Sequence, residues 1–152
     1  MPMMPYDKFK LLLWSALLLS VAAHAAPQAG HPLAQELWQQ RALIISVPAA
    51  DHAMLADVKS SLQRQDYQTA FAERRMVLYE IIAGKSMRNG VPLEDIQNRA
   101  LLDSLQLEPP YAASVWLVGL DGGIKLQSAE PVDLQQVFQL IDGMPMRQNE
   151  LR

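Results

Sequence analysis

Asp51 and His52 stand side by side just after an apolar run, Ala42 to Val47, that Pro48 closes. An imidazole titrates near neutrality, and beside a carboxylate it can move protons as a general acid or base. The alternative is structural. An aspartate placed where a strand gives way to a helix caps that helix, and the dipole favours its charge. His52 is then a solvated first-turn residue.

A second set is basic. Arg41 and Arg74 each stand just before an apolar run, so they are expected close together at one end of a sheet, opposite the Asp51 end. Two guanidinium groups there can clamp a carboxylate or phosphate; alternatively they pair with Glu36, Glu73 or the chain tail. Asp121 is read as a turn former or part of a binding site. Lys125 either contacts a ligand or guards an edge strand, and Arg147 is expected to hold the tail through a carboxylate or a carbonyl. The candidate ligand-binding residues are therefore Asp51, His52, Arg41, Arg74, Asp121, Lys125 and Arg147. Trp38, Trp116 and Tyr111 can line an apolar cleft, although a tryptophan in a strand, as at Trp116, belongs to a core.

Composition removes whole classes of chemistry. The chain has no cysteine among 152 residues, so no thiol can act as nucleophile, redox centre or metal ligand. It also has no Gly-x-Ser-x-Gly elbow, no phosphate-binding Gly-x-x-x-x-Gly-Lys-Ser/Thr loop and no Gly-x-Gly-x-x-Gly fingerprint. Outside the first 25 residues only His31 and His52 remain, too few for a histidine-based metal cluster and not in ligand spacing with each other. No cofactor is expected.

Lys8 and Lys10 precede the apolar run Leu11 to Ala23, and Ala23-His24-Ala25 follows. A charged segment, an apolar segment shorter than the roughly 20 residues of a spanning helix, and small residues around a cleavage point describe a secretory signal. Residues 1–25 are expected to be removed and the product to work in the periplasm or outside the cell, with no stable membrane insertion. The remaining chain carries a net charge of about −4, which disfavours nucleic acid as a partner. A protein or small ligand is left.

The elements that must position these residues follow from periodicity. Residues 26–40 read as a leader with a short amphipathic helix over Leu33 to Gln40, and 41–152 as one domain. Ala42 to Val47 and Met76 to Ile82 suit strands buried on both faces, with Leu55, Val58 and Leu62 marking a helix between them. Gly84 to Val91 reads as a polar loop, and Pro92 opens a helix striped by Leu93, Ile96, Ala100, Leu101 and Leu105. Ala112 to Val118, a turn at Asp121-Gly122-Gly123 and a short strand around Ile124 and Leu126 make an antiparallel hairpin. Asp133 caps a last helix buried through Leu134, Val137, Phe138 and Ile141. Gly143, left-handed, ends that helix, Pro145 bars another turn, and Met144 and Met146 fold back as filler. The order β-α-β-α-β-β-α, with a parallel half and an antiparallel half, predicts an α/β, thioredoxin-like fold with a central mixed four-stranded sheet flanked by helices.

Four segments carry a family resemblance. Arg41-x-Leu43-Ile-Ile-Ser-Val-Pro48, Glu73-Arg74-x-Met76-Val-Leu, Leu117-Val-Gly-Leu-Asp121-Gly-Gly-Ile-Lys125 and Ile141-Asp-Gly-Met-Pro-Met-Arg147-x-x-Glu150 resemble an uncharacterised peroxiredoxin-like domain. That domain occurs in bacterial exported proteins and in animal extracellular proteins such as equarin and the sushi-repeat proteins. The resemblance covers Trp38 to Glu150 and implies a thioredoxin-like fold with no established activity. Its most specific pieces are the Asp-Gly-x-x-Lys hairpin and the Met-Pro-Met-Arg tail. In relatives the hairpin usually reads Gly-Lys-Asp-Gly, whereas the lysine position here is Leu120. In such folds the reactive cysteine lies where the first long strand enters its helix, the place taken here by Asp51 and His52. The resemblance therefore implies an interaction module without thiol chemistry; a thiol-independent enzyme, or an accessory to a redox partner, is the alternative.

Overall fold

The computed structural model describes residues 32–152; the expected signal and the first part of the expected leader lie outside them. Strand β1 (Arg41–Val47) and strand β2 (Met76–Ile82) pair in parallel, Arg41 opposite Met76 and Val47 opposite Ile82. All seven residues of β1 are buried, as a near-continuous run of branched apolar residues requires of a strand covered on both sides. Helix α1 (Ala53–Leu62) and helix α2 (Gln65–Glu73) make the crossover. The second of these was not expected. Its inward residues Tyr67, Ala70 and Phe71 are spaced for a helix and are only partly covered by the core.

The sheet has six strands, not four, in the order β4-β3-β2-β1-β5-β6. The segment read as a polar loop holds strand β3 (Lys85–Arg88) and the start of strand β4 (Val91–Pro92). Two tight turns make this possible. Ala83 and Gly84 have φ of 48° and 80°, and Asn89 and Gly90 have φ of 47° and 78°, the pairs of positive angles that two-residue hairpins demand. Asn89 is fixed twice to Leu78, its amide donating to the Leu78 carbonyl (2.8 Å) and its Oδ1 accepting from the Leu78 amide (3.1 Å). Pro92 thus ends in a strand, and helix α3 (Asp95–Ser104) starts later than expected. Of its expected stripe Leu101 is fully buried, whereas Ile96 is 71% exposed, because five residues at 3.6 per turn put the two positions roughly 140° apart around the helix.

Strand β5 (Ser114–Val118) runs antiparallel to β1, and strand β6 (Ile124–Ser128) antiparallel to β5. Helix α4 (Leu134–Asp142) buries the four expected residues, with Asp133 accepting from the Gln135 amide as its cap. The chain end differs from expectation. Gly143 keeps a right-handed φ of −78°, and Pro145 opens a further helix, α5 (Pro145–Glu150). A proline at a first helical position loses no hydrogen bond.

Alternation along the strands sends Leu43, Ile45, Val47, Met76 and Leu78 to a core shared with α1, α2 and α4. Ala42, Ile44, Val77, Tyr79 and Ile81 face the other way, against Leu101 of α3 and Leu33. Residues 32–39 do not form the expected helix. They run as turns, with Trp38 left-handed at φ 62°, which breaks the helical path. Leu33 and Glu36 are nevertheless buried.

Candidate functional site

The seven candidate residues divide as the strand directions dictate. Asp51 and His52 follow the C-terminal end of β1. The cap of α1 is His52 rather than Asp51: its Nδ1 accepts from the Met54 amide at 3.3 Å, while Asp51 is exposed. An imidazole whose Nδ1 serves the backbone explains the placement without catalysis.

The other five gather around the opposite end of the sheet. Arg41, the first residue of β1, is wholly buried. Its Nη1 donates to the Arg74 carbonyl at 2.8 Å, and its Nη1 and Nη2 reach the Glu150 carboxylate at 3.4 and 3.2 Å. Arg74 forms a fork on Asp142, at 3.0 and 2.6 Å. Arg147 is 7% exposed and does what the sequence suggests for it: Nη1 donates to the Glu73 carbonyl at 2.8 Å and to Glu150 at 3.2 Å, and Nε approaches Asp142 at 3.4 Å. Arg75 also pairs with Glu150. The arginines therefore clamp carboxylates, and the carboxylates are the chain's own.

These contacts set the acidity of the tail. Partial burial alone raises the Glu150 carboxyl, but hydrogen bonds from Arg75, Arg41 and Arg147 outweigh it and hold the group at about 2, against an ordinary value of 4.5. Burial opposes ionisation of Asp142 as well, and Arg74 followed by Arg147 brings it below the usual range. A carboxyl with a depressed folded-state value contributes stability that is complete above its unfolded value and lost as pH falls toward the folded one. The melting temperature is expected to hold steady down to about pH 4.5 and to drop between there and about pH 2. Glu150→Gln should lower the plateau and flatten that slope, as thermal scans across pH would record.

A pocket of about 320 Å³ opens beside this cluster, lined by Gly119 to Asp121 and Lys125 from the β5–β6 hairpin, by Met144 to Met146 from the tail, and by Arg41. Lys125 Nζ binds Asp121 Oδ2 at 2.7 Å, and Asp121 Oδ1 accepts from the Gly123 amide at 3.0 Å. The lysine, followed by that amide, lowers the Asp121 carboxyl. Lys125 also lies on an edge strand, so both structural roles expected of this pair are filled. Leu120, the residue at the usual lysine position, is 3% exposed, and its carbonyl takes the Trp38 amide at 2.7 Å. Arg41 Nε is buried with no hydrogen-bond partner. A buried donor left unpaired costs about 1–3 kcal/mol, which marks it as the exception in an otherwise satisfied cluster.

Sequence reasoning missed a cluster on the other face. Glu36, in the turns before β1, accepts from Tyr79 Oη at 2.8 Å and from Arg88 Nε and Nη2 at 2.6 and 3.2 Å. Burial, then the bond to Glu36, pushes the Tyr79 hydroxyl up to about 12. The bond to Glu36 raises Arg88 further. The available signal was a tyrosine and an arginine at adjacent register positions of β2 and β3, legible only once β3 is recognised. Of the aromatics, Trp116 is core at 3% and Trp38 is 61% exposed. Tyr111 packs over Gly84. Among the described residues no group of three or more histidine, aspartate or glutamate side chains is placed to hold a metal ion, and no helix is long and apolar enough to cross a membrane.

The model of a domain of unknown function, DUF4174, matches residues 32–150. No curated protein sequence matches the chain. Among solved structures, the reduced form of the 2-Cys peroxiredoxin of Plasmodium vivax superposes with a TM-score of 0.53 at 17% identity, covering 79% of this chain and 85% of that one. The likeness establishes the thioredoxin-like fold expected from the order of elements.

Proposed function

The chain belongs to the DUF4174 family of domains of unknown function, and from that premise we propose that it is a binding module that works outside the cytoplasm and has no redox chemistry of its own. One observation carries the reading. Two segments about twenty residues apart, the Asp121 hairpin and the Met144 to Met146 tail, converge with the buried Arg41 on one pocket, and these are the segments by which the resemblance is most specific. Support for the loss of redox chemistry is chemical: with no cysteine in the chain, the strand-to-helix junction that hosts a reactive thiol in this fold has only a capping histidine. Support for export is the signal pattern of residues 1–25. The occupant of the pocket is a small ligand or a segment of a partner protein.

The rival enzyme built on Asp51 and His52 is less favoured, since His52 Nδ1 already serves Met54. Purified protein is expected to consume peroxide and to reduce insulin disulfides only at background rates; turnover in either assay would overturn the non-redox reading. Binding is tested by amide chemical shifts during a mixed fragment screen. Hits should move the signals of Gly119 to Lys125 and Met144 to Arg147, and a screen in which no fragment moves them would defeat the assignment of the pocket.

A further inference from the structure

We propose that the pocket between the β5–β6 hairpin and the tail takes a small apolar carboxylate, its chain against Leu120, Met144 and Met146 and its charged head toward Arg41. This rests on the pocket being the binding site and adds the class of ligand.

Charge gives the sign of the head group. Four guanidinium groups, those of Arg41, Arg74, Arg75 and Arg147, share two carboxylates, Glu150 and Asp142. The cluster behind the pocket thus carries an excess of positive charge in a partly buried setting, where charges are poorly screened. Asp121 at the rim does not cancel it, because Lys125 neutralises that carboxylate at 2.7 Å. Arg41 is the pocket residue fully withdrawn from solvent, and its Nε is a donor without an acceptor. A carboxylate held at the pocket wall is attracted by this charge across a short, poorly screened gap.

The walls give the rest. Leu120, Met144, Pro145 and Met146 offer no side-chain hydrogen-bond group apart from weakly accepting sulfurs, and methionines adapt to ligands of varied shape. A volume of about 320 Å³ stands at the small end of ligand pockets. It suits a short acyl chain and excludes a nucleotide or an extended peptide.

Calorimetric titration of the natural protein with octanoate, 1-octanol and octylamine separates head from chain. Octanoate is expected to bind at least tenfold more tightly than octanol, and octylamine not measurably. Met146→Trp fills the pocket from a residue already 37% exposed, so it should weaken octanoate at least tenfold with the melting temperature unchanged. Equal binding of octanoate and octanol would overturn the assignment of the head group. Undiminished binding to the Met146→Trp variant would place the ligand elsewhere. Failure of all three probes, with uncharged fragments still shifting Gly119 to Lys125, would overturn the ligand class and leave the binding reading intact. Loss of both would remove the binding reading as well.

Discussion

Stopping the chain after Gly143 is expected to lower its stability by roughly 5 kcal/mol, a large part of what a domain of this size possesses. The truncation removes Glu150, the counter-ion of the Arg41 guanidinium, which is wholly buried in the intact chain. Removing one partner of a buried pair costs about 3–5 kcal/mol. The partly buried Met144 adds about 1–2 kcal/mol of apolar burial, and the clasp of Arg147 on the Glu73 carbonyl is lost too. These contributions share partners and are not additive. Glu150→Ala alone should therefore account for roughly half of the loss, the 19% exposure of its side chain putting the pair at the low end of the range for buried pairs. Urea titrations followed by circular dichroism test this. Replacing Arg41 by methionine in the truncated chain should recover much of the loss, because an apolar side chain needs no partner there. An unchanged midpoint for the truncated chain would show that the tail does not hold the fold.

The second large effect is at Gly84. It adopts φ +80°, and a Cβ there would lie 2.3 Å from Tyr111 Cζ and 2.4 Å from its Oη. Gly84→Ala is expected to cost about 2–4 kcal/mol, of which about 1–2 comes from the left-handed backbone and about 1–3 from displacing the ring. Shortening the ring in a Gly84→Ala, Tyr111→Leu double variant should relieve only the second part. The neighbouring Ala83, at φ 48°, provides the control: Ala83→Gly should be neutral or stabilising by up to about 1 kcal/mol, since glycine relieves about 1–2 kcal/mol of left-handed backbone cost and returns about 0.4–1 in chain entropy. If the Gly84→Ala, Tyr111→Leu double variant recovered nothing, the turn and not the contact with Tyr111 would govern the site.

Whether an element could be read from the sequence depended on how local its cause is. The branched runs of β1 and β2 and the stripe of α4 announce themselves, because burial on both faces or on one helical face dictates composition directly. The hairpin at Asn89-Gly90 is signalled just as locally, but its strands are short and mostly polar, so its turn residues resemble those of a loop. Pro145 shows a different ambiguity. The same ring that ends one helix is favoured at the start of another, and only packing of Met144 against the core decides between them. The site is the least local feature. Arg41, Asp121, Lys125 and Arg147 could each be singled out by type, yet their meeting depends on contacts such as Arg41 to Glu150, which spans 109 residues. At Asp51-His52 either side chain can accept from the first turn, so residue type alone does not say that His52 is the cap.

The Arg41–Glu150 pair joins the first residue of the first strand to the last residue of the last helix. The cation at the start of β1 is thus neutralised only while α5 is packed against the sheet. Fraying of α5 strips a buried charge of its partner, so the helix and this end of the sheet are expected to open together, as one cooperative unit, rather than one after the other.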